Sequence, residues 1–179
     1  MSSELDEARN KAALRARQLQ REGSLAGPSV DVALVAESHG VEIEYKDFDD
    51  ATSGILVRTK KGAVIGVNAR HHPNRQRFTI AHELGHYFLH ADRGGVFVDE
   101  SLVQFRSERV SDEGLRITES AANAFAAELL MPRAQLKRDV RDQPVGRTDE
   151  RAISWLATRY GVSQQAMVIR LTTLELVHY

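Results

Sequence analysis

The chain has no cysteine. Its fold therefore contains no disulfide, and any metal it bound would be held by histidine and carboxylate rather than thiolate. No apolar run approaches the roughly 20 residues needed to cross a bilayer. The first stretch, Met1 to Gly23, is too polar for a secretory signal. Net charge is almost absent: 24 Lys and Arg stand against 25 Asp and Glu, a formal value of −1. No global field therefore favours nucleic acid or an anionic membrane. Internal repeats and low-complexity tracts are lacking as well. These absences point to a soluble protein of a reducing compartment, most simply the bacterial cytoplasm, with no membrane partner.

What is present is a chain of 179 residues, 42% hydrophobic and 27% charged. That suits one compact domain, or one domain with a small appendage. Glu4 to Arg21 reads as a helix with a narrow apolar stripe at Leu5, Ala8, Ala12 and Leu19, and Gly23 to Pro28 breaks it. Val30 to His39 is a short helix stopped by Gly40. Val41 to Tyr45 alternates as a half-buried strand. Gly54 to Arg58 and Ala63 to Val67 form a hairpin whose turn can use a positive φ at Gly62. A long helix is expected from Asn74 to about His90, burying Phe78, Ala81, Leu84, Gly85, Phe88 and Leu89. Gly85 costs a helix interior about 1 kcal/mol against Ala, so it should permit close approach of another backbone or a substrate.

Arg93 to Arg116 lacks a clean period, with Val96-Phe97-Val98 as one short strand. Ile117 opens a second strong helix, capped by Thr118 and stopped by Pro132, whose alanines allow tight packing on the first. Arg133 to Val140 is a further helix. Thr148 caps another through Ile153, Trp155, Leu156 and Tyr160. After the turn Gly161-Val162-Ser163, Ser163 caps the last, through Ala166, Val168, Ile169, Leu171 and Leu174. The final pair has a helix-turn-helix outline. The expected class is α+β: a small sheet of three strands or so packed on two long helices, with a helical C-terminal region. The expected organisation is a helical arm over 1–27, a core over 28–132 and a helical region over 133–179.

One stretch carries chemistry: His82-Glu83-Leu84-Gly85-His86 inside the long helix. Residues four apart share a helix face and lie about 6 Å apart along the axis, so both imidazoles can reach one metal ion. Glu83 lies between them, about a quarter turn round, and can reach a water on that metal without binding it. Zinc suits imidazole ligands, and an open position lets it activate water, with Glu83 as general base. The competing reading is an amphipathic helix with two surface histidines.

A catalytic zinc site needs a third protein ligand. His90 is again four residues on, but it lies another turn away from His82, and a helix-end histidine stabilising the dipole is its plainer role. Glu119 is preferred, because it opens a separate helix that can pack beside the first. Asn123, one turn later on the same face, can accept the free ring N–H of His82 or His86. Glu128 is the alternative ligand. It lies about half a turn round from Glu119, so both cannot face one metal, and its plainer role is a salt bridge between helices. His71, His72, Tyr87, His90 and Arg75 are near enough in sequence to stabilise an oxyanion, and nothing in the sequence selects among them.

The stretches from Arg75 to His90 and from Glu119 to Pro132 together resemble the ImmA/IrrE family of metallopeptidases. The short helix before Gly40, the strand to Tyr45 and the hairpin from Ser53 to Asn68 fit the same pattern. The resemblance runs from about Pro28 to Leu174 and leaves the N-terminal arm and residues 92–118 poorly matched. It implies a zinc-dependent endopeptidase of the thermolysin-like type, with His82, His86 and Glu119 as ligands and Glu83 as base. Another divalent ion such as Mn2+ is the alternative metal. It also implies a protein substrate, a helix-turn-helix repressor cleaved to derepress stress-response or mobile-element genes.

Two other classes compete. The C-terminal helices could bind DNA through Gln164, Gln165 and Arg170. From Arg133 onward, however, eight Lys or Arg stand against five acids, a weak excess for phosphate contacts. A metal-binding regulator that sequesters its partner without cutting it is the third reading.

Overall fold

In the computed structural model, residues 2–22, 27–59, 62–90, 96–100, 112–142, 146 and 149–177 are described. Among them are seven helices and one sheet: α1 (Ser2–Glu22), α2 (Val32–Ser38), β1 (Val41–Lys46), β2 (Thr52–Thr59), β3 (Gly62–Asn68), α3 (Pro73–Leu89), β4 (Val96–Glu100), α4 (Asp112–Leu130), α5 (Arg133–Asp142), α6 (Glu150–Tyr160) and α7 (Gln164–Thr173). The fold is α+β.

The sheet has four strands in the order β1-β3-β2-β4. β2 and β3 are the expected antiparallel hairpin, with Thr59 opposite Gly62, and Gly62 has the positive φ anticipated there (147°). β1 runs parallel to β3, and β4 adds antiparallel to the far side of β2. β3 buries Ala63, Ile65 and Val67. That is the period-2 alternation of a strand with one face on a core. The β2–β4 register shifts between Thr52 and Gly54, the mark of a bulge. At that irregularity the Ser53 hydroxyl accepts a hydrogen bond from Arg75 of α3 (2.8 Å).

α3 begins one residue earlier than expected. Pro73 occupies its first turn, where a missing N–H costs nothing, and His72 caps it by accepting from the Asn74 N–H. Its burial is wider than the expected apolar face: every residue from Thr79 to His86 is buried. α3 lies between the sheet and α4, so it has no solvent side over this stretch.

Gly85 meets α4 at the close approach anticipated for it. A Cβ at this position would stand 3.0 Å from the Ala122 Cα and 3.1 Å from the Ala122 carbonyl oxygen. Gly54 of β2 is a second such point, where a Cβ would stand 2.3 Å from Thr79 Cγ2. α3 is thus held by glycine contacts on two sides.

α4 starts earlier than the sequence suggests. Gly114, inside the stretch read there as lacking a period, lies within the helix, and Thr118 is not its cap. Its hydroxyl donates back to the Leu115 (2.8 Å) and Gly114 (3.1 Å) carbonyls. A single glycine costs a helix only about 1 kcal/mol, less than the burial along Ala121, Ala122, Phe125, Ala126, Leu129 and Leu130 returns.

α1 packs along α4, burying Ala12, Ala16 and Leu19. Arg9 bonds Ser120 (2.6 Å), Arg17 bonds Glu128 (2.9 Å), and Gln20 donates to the Glu128 (2.9 Å) and Leu129 (3.2 Å) carbonyls. Both sets of numbers rise together, so the helices run parallel, and Gln20 satisfies carbonyls that the last turn of α4 leaves open.

The C-terminal pair keeps its outline. Gly161 takes the left-handed conformation (φ 61°) between α6 and α7, and Ser163 caps α7 by accepting from Ala166 N. Thr148 lies outside the described residues. Asp149 caps α6, accepting from Ala152 N at 3.0 Å. The turn is fastened to α3: Arg77 donates to the Gly161 carbonyl (3.2 Å) and Asn74 to that of Val162 (3.0 Å). No helix is long and apolar enough to cross a membrane among the described residues.

Candidate metal centre

The crossing of α3 and α4 builds the site. Gly85 lies between His82 and His86, and Ala122 lies one turn after Glu119. With no side chain on Gly85 and one methyl on Ala122, the backbones come close enough for a short glutamate to reach both imidazoles. His82 Nε2 and His86 Nε2 are 3.1 Å apart. Glu119 Oε2 is 3.3 Å from the first and Glu119 Oε1 is 3.2 Å from the second. Among the described residues, these three are the group whose donors converge as a metal site would require.

The spacing fits a metal ion. Ligands at 2.0–2.1 Å on adjacent corners of a tetrahedron stand about 3.4 Å apart, close to all three separations. The proton arrangement fits as well. Asn123 Oδ1 lies 3.0 Å from His82 Nδ1. A carbonyl oxygen only accepts, so Nδ1 carries the proton and Nε2 of the neutral ring presents a lone pair to the centre. A bare nitrogen against a carboxylate oxygen repels unless a cation lies between them.

The residues differ in exposure. His82 and His86 are 3% and 4% exposed, whereas the Glu119 side chain is 49% exposed. The centre therefore opens to solvent on the α4 side. Burial pushes the Glu119 carboxyl up, but protons carried on the His82 and His86 Nε2 atoms when no cation is bound outweigh it and hold the group well below the usual carboxylate range. It is a ready anionic ligand at neutral pH.

Glu83 is fully buried. It faces the sheet side of α3, with Oε1 3.6 Å from where a Cβ on Gly54 would stand. Burying a carboxylate here opposes folding. Gly54, whose neighbourhood to Glu83 no sequence pattern announces, leaves the space it occupies.

The other sequence candidates have structural work. Glu128 is buried and takes two guanidiniums, Arg17 at 2.9 Å and Arg170, together with the Arg133 backbone N–H at 3.2 Å. This is the salt-bridge role, joined to a helix-end cap. His90 is the C-cap of α3. The Tyr87 hydroxyl donates to the His39 carbonyl (3.2 Å) and Arg75 is on Ser53. Arg58 is one the sequence did not indicate: its guanidinium donates to the carbonyls of His86 (3.1 Å) and Tyr87, closing the end of α3 behind a site histidine. An arginine on a neighbouring strand has no spacing signature that could have revealed this. Arg170, a candidate DNA contact, is 8% exposed and committed to Glu128 and the Met131 carbonyl (3.1 Å). It is not available to phosphate.

Residues 36–172 match the protein family described as the IrrE N-terminal-like domain. The chain is 37% identical over 110 residues to the radiation response metalloprotease IrrE of Deinococcus deserti, covering 60% of this chain and 35% of that protein. It is 34% identical over 110 residues to the protein of the same name from Deinococcus radiodurans, covering 61% of this chain and 30% of that one. The chain spans about a third of the length of these curated relatives. A Mycobacterium tuberculosis transcriptional regulator shares the fold, with a TM-score of 0.61 at 19% identity over 94% of this chain and 51% of that one.

Proposed function

This chain belongs to the IrrE N-terminal-like peptidase family, and from that premise we propose that it is a zinc-dependent endopeptidase acting on a protein substrate. The observation that carries the reading is the convergence of His82 Nε2, His86 Nε2 and the Glu119 carboxylate within 3.1–3.3 Å. Zinc is the ion the donor set suits: two imidazoles, one carboxylate, no thiolate. When bound, it supplies Lewis acidity and a water acidic enough to lose its proton near neutral pH.

The chain's own residues do the rest. His82, His86 and Glu119 hold the ion, and Asn123 fixes the His82 tautomer that lets Nε2 bind. Glu83 accepts the proton of the attacking water at its carboxylate and returns it to the departing amine. The closed surroundings of Glu83 keep bulk water from competing for that proton. The half-exposed side of Glu119 leaves an approach for a peptide.

The substrate class follows from the family resemblance: a helix-turn-helix repressor whose cleavage releases stress-response or mobile-element genes. The test is incubation of the zinc-loaded protein with a repressor encoded beside it, read by intact mass. The wild type is expected to generate two fragments. Glu83→Gln is expected to keep its zinc and lose at least about 100-fold in rate. Cleavage by Glu83→Gln at the wild-type rate would remove Glu83 as the base, and an intact repressor would remove the assigned substrate. The same variant separates a sequestering regulator, which would keep its effect in cells.

A further inference from the structure

Beside the metal centre lies a groove of about 900 Å³ walled by α1, α4 and α7. Its lining follows α4 from Ser120 and Asn123 to Glu128 and on to Arg133. Its apolar lining includes Ala13 of α1, Ala124, Ala127 and Met131 along α4, and Ile169 of α7. Ile169 is 59% exposed, unusual for a large aliphatic side chain.

The charge in the groove is one-sided. Four arginines line it (Arg9, Arg17, Arg133 and Arg170) against two carboxylates, Asp6 and Glu128. Glu128 alone answers both Arg17 and Arg170. Asp6 is 3.8 Å from Arg9. An excess of two positive charges remains beside an apolar floor. The volume is within the range of pockets that bury most of a ligand, and it holds several side chains.

We propose that this groove is an exosite that docks an apolar segment with acidic flanks in the protein substrate, adjacent to the bond to be cut. The proposal rests on the peptidase reading and adds the chemistry by which the substrate is chosen. Two observations fix the occupant. Two residues lining the groove also touch the ligand His82, Asn123 at 3.0 Å from its Nδ1 and Phe78 against its ring, so a chain lying in the groove passes beside the metal centre. The positive excess favours a partner carrying carboxylates and disfavours a basic one. α1 lies outside the residues matched to the family, yet it supplies a whole wall. Substrate choice is therefore written partly in a segment that the metal site does not need.

The experiment uses the full-length zinc-loaded Glu83→Gln protein and reads binding, so it does not depend on turnover. The probe is a fluorescein-labelled peptide of three leucines flanked by glutamates, compared by anisotropy with the same peptide flanked by lysines. The acidic peptide is expected to bind on the order of tenfold more tightly, and to weaken as salt is raised. Ala13→Trp, which fills the groove from α1, is expected to weaken it about tenfold. Arg133→Glu, an exposed change that keeps the fold, is expected to remove most of the preference between the peptides. Zinc content and melting temperature of Arg133→Glu should match those of the parent. Equal binding of both peptides, no binding of either, or wild-type affinity in both variants would overturn the exosite. So would a dimer at assay concentration that closes the groove. Each of these can occur while the repressor is still cut, and loss of repressor cleavage can occur while the peptide still binds, so the two readings fail separately.

Discussion

Asn123 shows how much one side chain beyond the ligands can decide. Its oxygen, 3.0 Å from His82 Nδ1, keeps the proton on the nitrogen facing away from the centre. Asn123→Ala should retain the fold and weaken zinc binding 10–100-fold, roughly the loss found when such partners of metal-bound histidines are removed. Competition with a chromogenic chelator measures it, and unchanged affinity would show that ring packing alone orients His82. Gly54 makes a steric claim at the same scale. A methyl there would lie 2.3 Å from Thr79 Cγ2, so Gly54→Ala should cost roughly 1–3 kcal/mol in urea unfolding. Adding Thr79→Ser removes the clashing methyl and should recover most of that loss. If the double variant is no more stable than the single one, the contact is not what excludes a side chain.

Among the helices, the shared carboxylate of Glu128 ties α1 and α7 to α4. Its two ion pairs should not contribute equally. The Arg17 side chain is 38% exposed and Arg170 is 9%. Burial pulls the Arg170 guanidinium below its ordinary range while Glu128 pulls the other way. Arg17→Ala removes a pair that water and salt already screen and should cost about 1 kcal/mol or less. Glu128→Ala leaves Arg170 buried without its counter-charge and should cost roughly 3–5 kcal/mol, a large part of a typical domain's total. Urea titration of both variants compares them directly. Equal losses would mean that α1 is held by the pair rather than by Ala12, Ala16 and Leu19.

For the molecule as a whole, metal and fold are linked. The three donors come from two helices, so an ion bound to them favours the folded chain. With free zinc at 100 times its dissociation constant the linkage is about 2.7 kcal/mol. For a chain of this length that is a melting shift of roughly 5–10 °C. Stripping the metal with a chelator should lower the midpoint by that amount, and His86→Ala should abolish the difference. A midpoint indifferent to zinc would mean that the convergent donors do not bind it under those conditions.

The one-turn spacing of His82 and His86, the place of Glu83 between them and the α+β succession of elements were legible in the sequence because each depends on local periodicity: four residues make about one helical turn, and two make one strand repeat. Glu119 and Asn123 were legible as one helical face for the same reason. Where α4 begins was not, because its first turns depend on packing that outweighs one glycine. The roles of Arg58, Gly54 and Glu128 were not legible either, since each acts on a partner far away in the chain. Only the tertiary structure set the distance between α3 and α4, through Gly85 against Ala122, and only that distance turns three separate donors into one centre. Local propensity is a property of neighbours along the chain, whereas a site is a property of neighbours in space.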